Sequence, residues 1–295
     1  MTSSPTVSVI IPVWNDAGHL GKCLRSLEAQ TYPRQLTEVI VVDNSSSDGS
    51  AAVAQSFNFV TLLFEPRPGS YCARNKGLAA ARGKYIAFID SDCIATPGWL
   101  EAALAQAKRE DKLGVVAGRI DLFCEDGQEG SVAANYETLF AFNQKKNAAL
   151  GVSVTANWTS RRDVLLTHGG FADHMKSGGD TELSRRITGN GYRIVYAHDA
   201  TVKHPVRGTN TALFARTRRV LGGTWSMSSR PRPLRFLVLQ YAFTRESFYR
   251  MMRVARERSP GNVGRLRMMS FILVLWVIGT VELLVLFLGS EPRRS

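Results

Sequence analysis

Apolar residues fall into two kinds of run along this chain, and the difference between them predicts the fold. Val7–Val13 (VSVIIPV) is a nearly unbroken β-branched stretch, the pattern of a strand buried on both faces of a parallel sheet. HLGKCLRSLEAQT follows, with Leu20, Cys23, Leu24 and Leu27 at helical spacing. EVIVVDNSSSDGS gives a second buried strand that breaks into Asp, Asn, Ser and Gly. YCARNKGLAAARG predicts a helix closed by Gly83, and Tyr85–Ile89 a third strand. Strand alternating with helix in this way predicts an α/β, Rossmann-like doubly wound sheet.

The middle is less regular. Gly114–Phe123 predicts a strand, and EGSVAANYETLFAFNQKKN a passage from loop to helix. SVTANWTSRRDVLLTHGGF predicts a short strand, a turn at Asn157-Trp158 and a helix stopped at Gly169-Gly170. In GGDTELSRRITGNGYRIVYAHDATVKH, a Gly-Gly turn precedes a short helix with Leu183 and Ile187 four apart, then a Gly-Asn-Gly stop and a strand. No internal repeat is present.

The last quarter changes character. Ser228–Leu234 (SSRPRPL) reads as a linker into a basic tail. Phe271–Leu288 is then an apolar stretch whose single charge is Glu282. As a helix it measures about 27 Å, close to the hydrocarbon thickness of a bilayer. Arg253, Arg256, Arg258, Arg265 and Arg267 crowd its upstream flank, against Arg293 and Arg294 downstream. That bias predicts an anchor in the inner membrane with the main body on the cytoplasmic side. A central acid costs roughly 2.5–3.5 kcal/mol on insertion scales, so a buried hairpin or an interfacial helix stands as the alternative. The expected organisation is a catalytic domain over 1–227, a basic helical region over 228–269 and a membrane helix over 270–289.

The net charge of +12 on 295 residues suggests a nucleic-acid binder until the charge is located. From Lys203 onward there are 17 Lys/Arg and 4 Asp/Glu, whereas the first 202 residues carry 20 basic and 21 acidic side chains. The basicity belongs to the tail, and no nucleic-acid partner is expected. The four cysteines form no C-x-x-C pair and no secretory signal is recognised. Reduced thiols and no cysteine zinc site are therefore expected.

In doubly wound sheets, ligands sit beyond the carboxyl ends of the strands. Asp43 ends one predicted strand, and Asp90 and Asp92 another. An Asp-x-Asp at a strand mouth suits a hard divalent cation, Mn2+ or Mg2+, shared with substrate phosphates; as a bare tripeptide it equally suits a cap on the helix opening near Pro97. PVWNDAGHLG, after the first strand, lacks the glycine fingerprint of dinucleotide sites.

VSVIIPVWN, EVIVVDNSSSDGS, GSYCARNKGLAAARGKYIAFIDSDC, ANWTSRRDVLLTHGGF and GGDTELSRRI, in this order over Val7–His204, resemble the successive motifs of family-2 glycosyltransferases. The resemblance implies a nucleotide-diphospho-sugar transferase (GT-A) fold, a sugar-nucleotide donor and inversion at the anomeric carbon. It implies that Pro12, Val13, Trp14 and Asn15 line the nucleoside pocket, Trp14 standing where tyrosine is usual. It further implies that Asp43 binds the base, commonly uracil, that Arg74 and Asn75 lie near the nucleotide, and that Asp90 faces the ribose. Asp92 matches the metal ligand, His204 a histidine that joins it in some members, with His198 close by in sequence. Asp180 matches the catalytic base, preceded by Gly179 where the family more often has Glu; without the resemblance, Asp180 reads as a helix cap. Asn157, Trp158 and Gly179 fall where the family forms its acceptor and donor pocket, although Trp158 suits the core equally well. The Q-x-x-R-W of processive members is absent around Arg218-Arg219, which implies single additions. A UDP-linked donor and a lipid-linked or cell-surface glycan acceptor are expected. The rival readings are a sugar-nucleotide nucleotidyltransferase, which would want a basic loop after the first strand, and an inactive nucleotide-binding scaffold.

Overall fold

A computed structural model describes residues 5–125, 127–256 and 263–291; Arg258, Arg293 and Arg294 lie outside them. The buried β-branched runs become the centre of one sheet. Its strands are β1 (Val7–Val13), β2 (Thr37–Asp43), β3 (Val60–Phe64), β4 (Tyr85–Ile89), β5 (Ile94–Ala95), β6 (Leu113–Phe123), β7 (Asn157–Arg161) and β8 (Arg193–Pro205), in the order β3-β2-β1-β4-β7-β6-β8-β5. The first four run parallel, with Val9 opposite Val39 and Ile10 opposite Phe88. Pairing turns antiparallel at β4–β7, β6–β7 and β5–β8.

Helices α1 (Ala17–Glu28), α2 (Ser50–Gln55), α3 (Ser70–Ala80) and α4 (Trp99–Lys108) alternate with the early strands. They bury Leu20, Leu24, Trp99 and Leu104 in a core shared with Val9, Ile11 and Val41. At Gly77 a Cβ would lie 2.5 Å from Ile10 Cγ2, so this glycine lets α3 settle close onto β1. Helix α3 ends at Ala80, and Ala81 is already extended, so Gly83 does not close the helix as expected. A Cβ there would lie 2.5 Å from the Ser8 backbone nitrogen; close backbone approach is what requires the glycine.

The expected turn at Asn157-Trp158 is strand β7, between β4 and β6. Asn157 tolerates the strand because its amide satisfies buried groups: Nδ2 donates to the Arg119 and Ala200 carbonyls, both at 2.8 Å, and Oδ1 accepts from Trp99 Nε1 at 2.9 Å. Local turn preference loses to that demand for partners.

By contacts the chain forms two units. The first holds the described residues of Met1–Asp121, Phe142–His174 and Gly179–His204, and includes α6 (Gln144–Ala149), α7 (Arg162–Thr167) and α8 (Gly179–Gly189). The second holds the described residues of Leu122–Ala141, Met175–Gly178 and Pro205–Ser295, with α5 (Val132–Phe140), α9 (Asn210–Met227), α10 (Arg232–Arg256) and α11 (Arg265–Phe287).

Within the second unit α10 and α11 run antiparallel: Phe236 meets Phe287, Gln240 bonds Thr280, and Thr244 bonds Trp276. Helix α11 is long and apolar enough to cross a membrane, yet 39% of its apolar window is buried inside the protein. Glu282, the acid in that window, is 2% exposed and pairs at 3.9 Å with Arg218 of α9. The charge that argues against insertion has a protein partner.

Candidate active site

The parallel strands deliver their polar ends to one edge. Val13, the last residue of β1, is in register with Asp43, the last of β2. Asp43 is buried, and its Oδ1 accepts the Ser46 N–H at 2.9 Å. Asn15, at φ 49°, ties the two following loops together. Its Oδ1 accepts the Ser47 N–H at 2.7 Å, and its own N–H donates to Ser46 Oγ at 3.0 Å. Pro12 and Val13 are buried beneath, while the Trp14 ring is 55% exposed and offers a flat apolar face.

At the end of β4, Arg74 Nη2 lies 2.5 Å from Asp90 Oδ1. Arg74 is 4% exposed and the Asp90 side chain 31% exposed, so a buried guanidinium holds a carboxylate that still reaches solvent. Among the described residues its Nε is buried without a hydrogen-bond partner. Ser91, the spacer between the two acids, donates to Asp16 Oδ2 at 2.6 Å, and Asp16 Oδ1 meets His19 Nδ1 at 2.5 Å. Sequence reasoning passed over Asp16, whose role becomes visible only once β1 and β4 are neighbours.

Strand pairing explains the next contact. Ile94 lies opposite Lys203 and Ala95 opposite Val202, which sets His204 beside Cys93 and brings its ring to Asp92. His204 Nε2 is 3.5 Å from Asp92 Oδ2, and the imidazole is buried against Phe142 at 4.7 Å between ring centroids. His198 is exposed and engaged instead by Arg119 Nη1 at 2.8 Å and by Asp199.

The donor atoms of Asp92, Cys93 and His204 lie within 4.8 Å of one another. Burial pushes the Cys93 thiol up, and Asp92 and Asp90 add to the effect. The Cys93 sulfur is fully buried beside the other two donors. The remaining oxygen and imidazole set fits a hard or borderline divalent ion such as Mn2+.

Asp180 stands at the start of α8, half-buried. Desolvation pushes its carboxyl up, opposed by the Thr181 N–H and by Arg74, and reinforced by Asp90. It thus shares an electrostatic neighbourhood with the Arg74–Asp90 pair. Tyr71 locks the helix start: its hydroxyl accepts the Gly179 N–H at 2.9 Å, and its ring stacks on Phe171 at 5.5 Å. A Cβ on Gly179 would lie 2.8 Å from Tyr71 Cε2, which explains glycine where the family more often has Glu.

Three expected pocket residues have other work. Both ends of the Asn75 amide hold the Phe171 backbone, at 2.7 and 2.9 Å. Asn157 is consumed as described above. Trp158 is 0% exposed and packs toward Phe171, so its ring fills core and presents no face to a ligand.

Residues 8–168 match the model of glycosyl transferase family 2. Glycosyltransferase AglE of Haloferax volcanii is 37% identical over 214 residues, covering 70% of this chain and 69% of that protein. The pre-mycofactocin glycosyltransferase of Mycobacterium tuberculosis is 34% identical over 216 residues, covering 68% of this chain and 43% of that protein. Among solved structures, the mannosyltransferase PcManGT from Pyrobaculum calidifontis, in complex with GDP-Man and Mn2+, aligns with a TM-score of 0.58 at 22% identity over 96% of this chain and 86% of its own. Staphylococcus aureus TarS aligns at 0.52 and 19% identity over 80% of this chain and 42% of its own. These neighbours share the mixed α/β sheet of the GT-A type. With the family model spanning more than half the chain and AglE aligned over two thirds of both proteins, the chain belongs to glycosyl transferase family 2 and is a glycosyltransferase.

Proposed function

We propose that the protein is a metal-dependent, inverting glycosyltransferase that moves a sugar from a nucleotide-diphosphate sugar, UDP-linked in the first instance, to a hydroxyl of a lipid-linked or cell-surface glycan. The observation that carries this reading is the convergence at one sheet edge of the Arg74–Asp90 pair, the Asp92–His204 contact and the up-shifted carboxyl of Asp180. The manganese and GDP-mannose in the Pyrobaculum structure support a divalent ion and a nucleotide-diphosphate donor.

Pro12, Val13, Trp14 and Asn15 would line the nucleoside pocket, with Asp43 binding the base and Trp14 covering it. Arg74 holds Asp90 in one orientation, toward the ribose. Asp92 and His204 would hold Mn2+ or Mg2+, which when bound neutralises charge growing on the leaving diphosphate. Asp180 takes the proton of the attacking hydroxyl on the face opposite the leaving group. Such general-base help is typically worth about 10²–10⁴-fold. The raised affinity of Asp180 for a proton suits that task, because a better base removes a hydroxyl proton more readily. Tyr71 and Gly179 fix the carboxylate by fixing the first turn of α8.

A C-terminal segment following the catalytic part over 1–227, with a basic stretch over 228–269 and an apolar helix over 270–289, would hold the enzyme at the inner membrane, facing the cytoplasm, where lipid-linked acceptors are confined. Absence of Q-x-x-R-W supports single additions. The test is sugar transfer and donor hydrolysis with UDP- and GDP-sugars, with and without Mn2+. Turnover that requires the ion and fails in Asp92→Ala and Asp180→Asn supports the reading. Wild-type rates in both variants would sink it, and binding of donor without turnover would return the scaffold alternative.

A further inference from the structure

Helices α10 and α11 divide their surfaces in three. On α10, Phe236, Gln240 and Phe243 face α11, while Leu234, Leu237, Tyr241 and Phe248 are exposed. At about 100° per residue the exposed set lies roughly a third of a turn from the packed set. Arg235, Arg250 and Arg253 fall in the remaining sector; Arg235 lies over Trp225, and Arg250 reaches the Tyr136 hydroxyl. On α11, Trp276, Thr280 and Phe287 face α10, and Val277, Val281 and Leu284 are exposed. Leu283 and Leu286 of α11 pack with Leu221 and Trp225 of α9, and Glu282 pairs with Arg218.

The two helices are antiparallel, so their residue numbering turns in opposite senses when seen from one end. Both exposed stripes therefore come to the same side of the hairpin, away from α9 and from the arginine sector. The result is a two-helix apolar face about 20 Å long, bounded at one end by Arg232 and at the other by Arg256, Arg265 and Arg267, all exposed. Arg245 sits at its margin, where a long stem can lie along apolar surface with its charge in water.

We propose that this face docks on one leaflet of an anionic bilayer, with α10 and α11 lying in the interface and neither crossing the membrane. The inference deepens the membrane arm of the function proposed above and rests on it. Crossing would carry the α9 partner of Glu282, with Arg218, into hydrocarbon alongside α11. Lying flat leaves that pair on the protein side and puts arginines at headgroup level at both ends. The same basic ends repel a second copy laid on the face, whichever way it runs.

The full-length protein is tested by flotation with phosphatidylglycerol-containing vesicles and by spin-label depth measurement. Single cysteines at Leu273, Val277, Val281 and Leu284, and at Leu237 and Tyr241, are introduced into Cys124→Ser; the other three native cysteines are buried. The expected result is one shallow depth for all six labels. A spanning helix would instead grade the α11 labels by about 1.5 Å per residue, roughly 16 Å across the set, and would overturn the proposal. Labels shielded from both lipid and water would indicate a second copy and also overturn it. Leu237→Glu with Val277→Glu should lower the vesicle-bound fraction at least about tenfold while donor turnover is kept. Active enzyme that never floats overturns the docking and leaves the transferase reading intact. Inactive enzyme that floats normally does the reverse.

Discussion

The Tyr71 hydroxyl, on α3, accepts a hydrogen bond from the Gly179 N–H at the start of α8, 108 residues away. This contact ties the helix that carries Asp180 to the helix that carries Arg74, and it leaves no room for a side chain at position 179. Gly179→Glu, which restores the commoner family residue, should therefore lower kcat, because the ring and the helix start cannot both stay in place. Tyr71→Phe keeps the stacking on Phe171 but leaves a buried N–H without its acceptor, at a cost of about 1–3 kcal/mol. Chemical unfolding and donor turnover on both variants check the pair. Turnover unchanged in Gly179→Glu would show that this packing does not position Asp180.

Asp180 makes a prediction about pH with two opposite signs. Its carboxyl is pushed up by desolvation, so the base becomes protonated at a higher pH than an ordinary aspartate, and kcat should fall on the acid side from that higher value. For stability, a carboxyl whose folded pKa is raised favours the folded state most below the unfolded pKa of about 3.9. That contribution is lost as pH rises through the folded value, so at neutral pH the ionised Asp180 is a burden on the fold. Asp180→Asn should lower transfer about 10²–10⁴-fold and be at least as stable as wild type at pH 7. A variant that is both active and less stable would assign Asp180 to the fold instead. Thermal unfolding across pH, beside the rate profile, measures both.

Asp92 and His204 meet because β5 and β8 pair in one register. If they hold the cation together, His204→Ala should raise the Mn2+ concentration for half-maximal activity about 10–100-fold, by analogy with the loss of a metal site's supporting contacts, and excess Mn2+ should restore much of the rate. Asp92→Ala should not be rescued in this way. Manganese titrations followed by activity and by calorimetry separate the two. His198→Ala, at an exposed residue held by Arg119 and Asp199, should leave the titration unchanged.

Legibility in the sequence followed burial and range. Strands β1, β2 and β4 are buried on both faces, so their apolar runs announce themselves. Strand β3, at the sheet edge, has no fully buried position, with Phe64 59% exposed, so its run of five lacks the signature of a buried strand. The acids at the strand ends were legible for the same reason as the strands. Asp43, Asp90 and Asp92 come where an apolar run breaks at the carboxyl end of a strand. Their supports were not. Ser91 finds Asp16 across 75 residues, and Tyr71 finds Gly179 across 108; no local pattern encodes such pairs. Asn75, Asn157 and Trp158 sit in recognisable motifs, yet their side chains hold the fold. Motif membership marks a place in the chain and leaves open which way the side chain points.

Glu137 of α5 gives the last prediction. It is 1% exposed, accepts from the Arg207 backbone N–H and from Arg207 Nη1 at 2.8 Å, and stands 3.8 Å from Arg216 Nε. Burial, and then the neighbouring Arg207, hold the Arg216 guanidinium below its usual range. Two crowded guanidiniums share one buried carboxylate, so removing it leaves like charges facing each other in a partly dehydrated place. Glu137→Ala should destabilise the protein by about 1–3 kcal/mol, less than breaking a fully buried pair because the Arg207 and Arg216 side chains stay 28% and 30% exposed. Replacing all three with apolar residues of similar size should cost far less, because no uncompensated charge remains. Urea unfolding of Glu137→Ala, of Arg207→Met with Arg216→Met, and of the triple variant closes the cycle. Simple additivity would show that the charges do not act through one another.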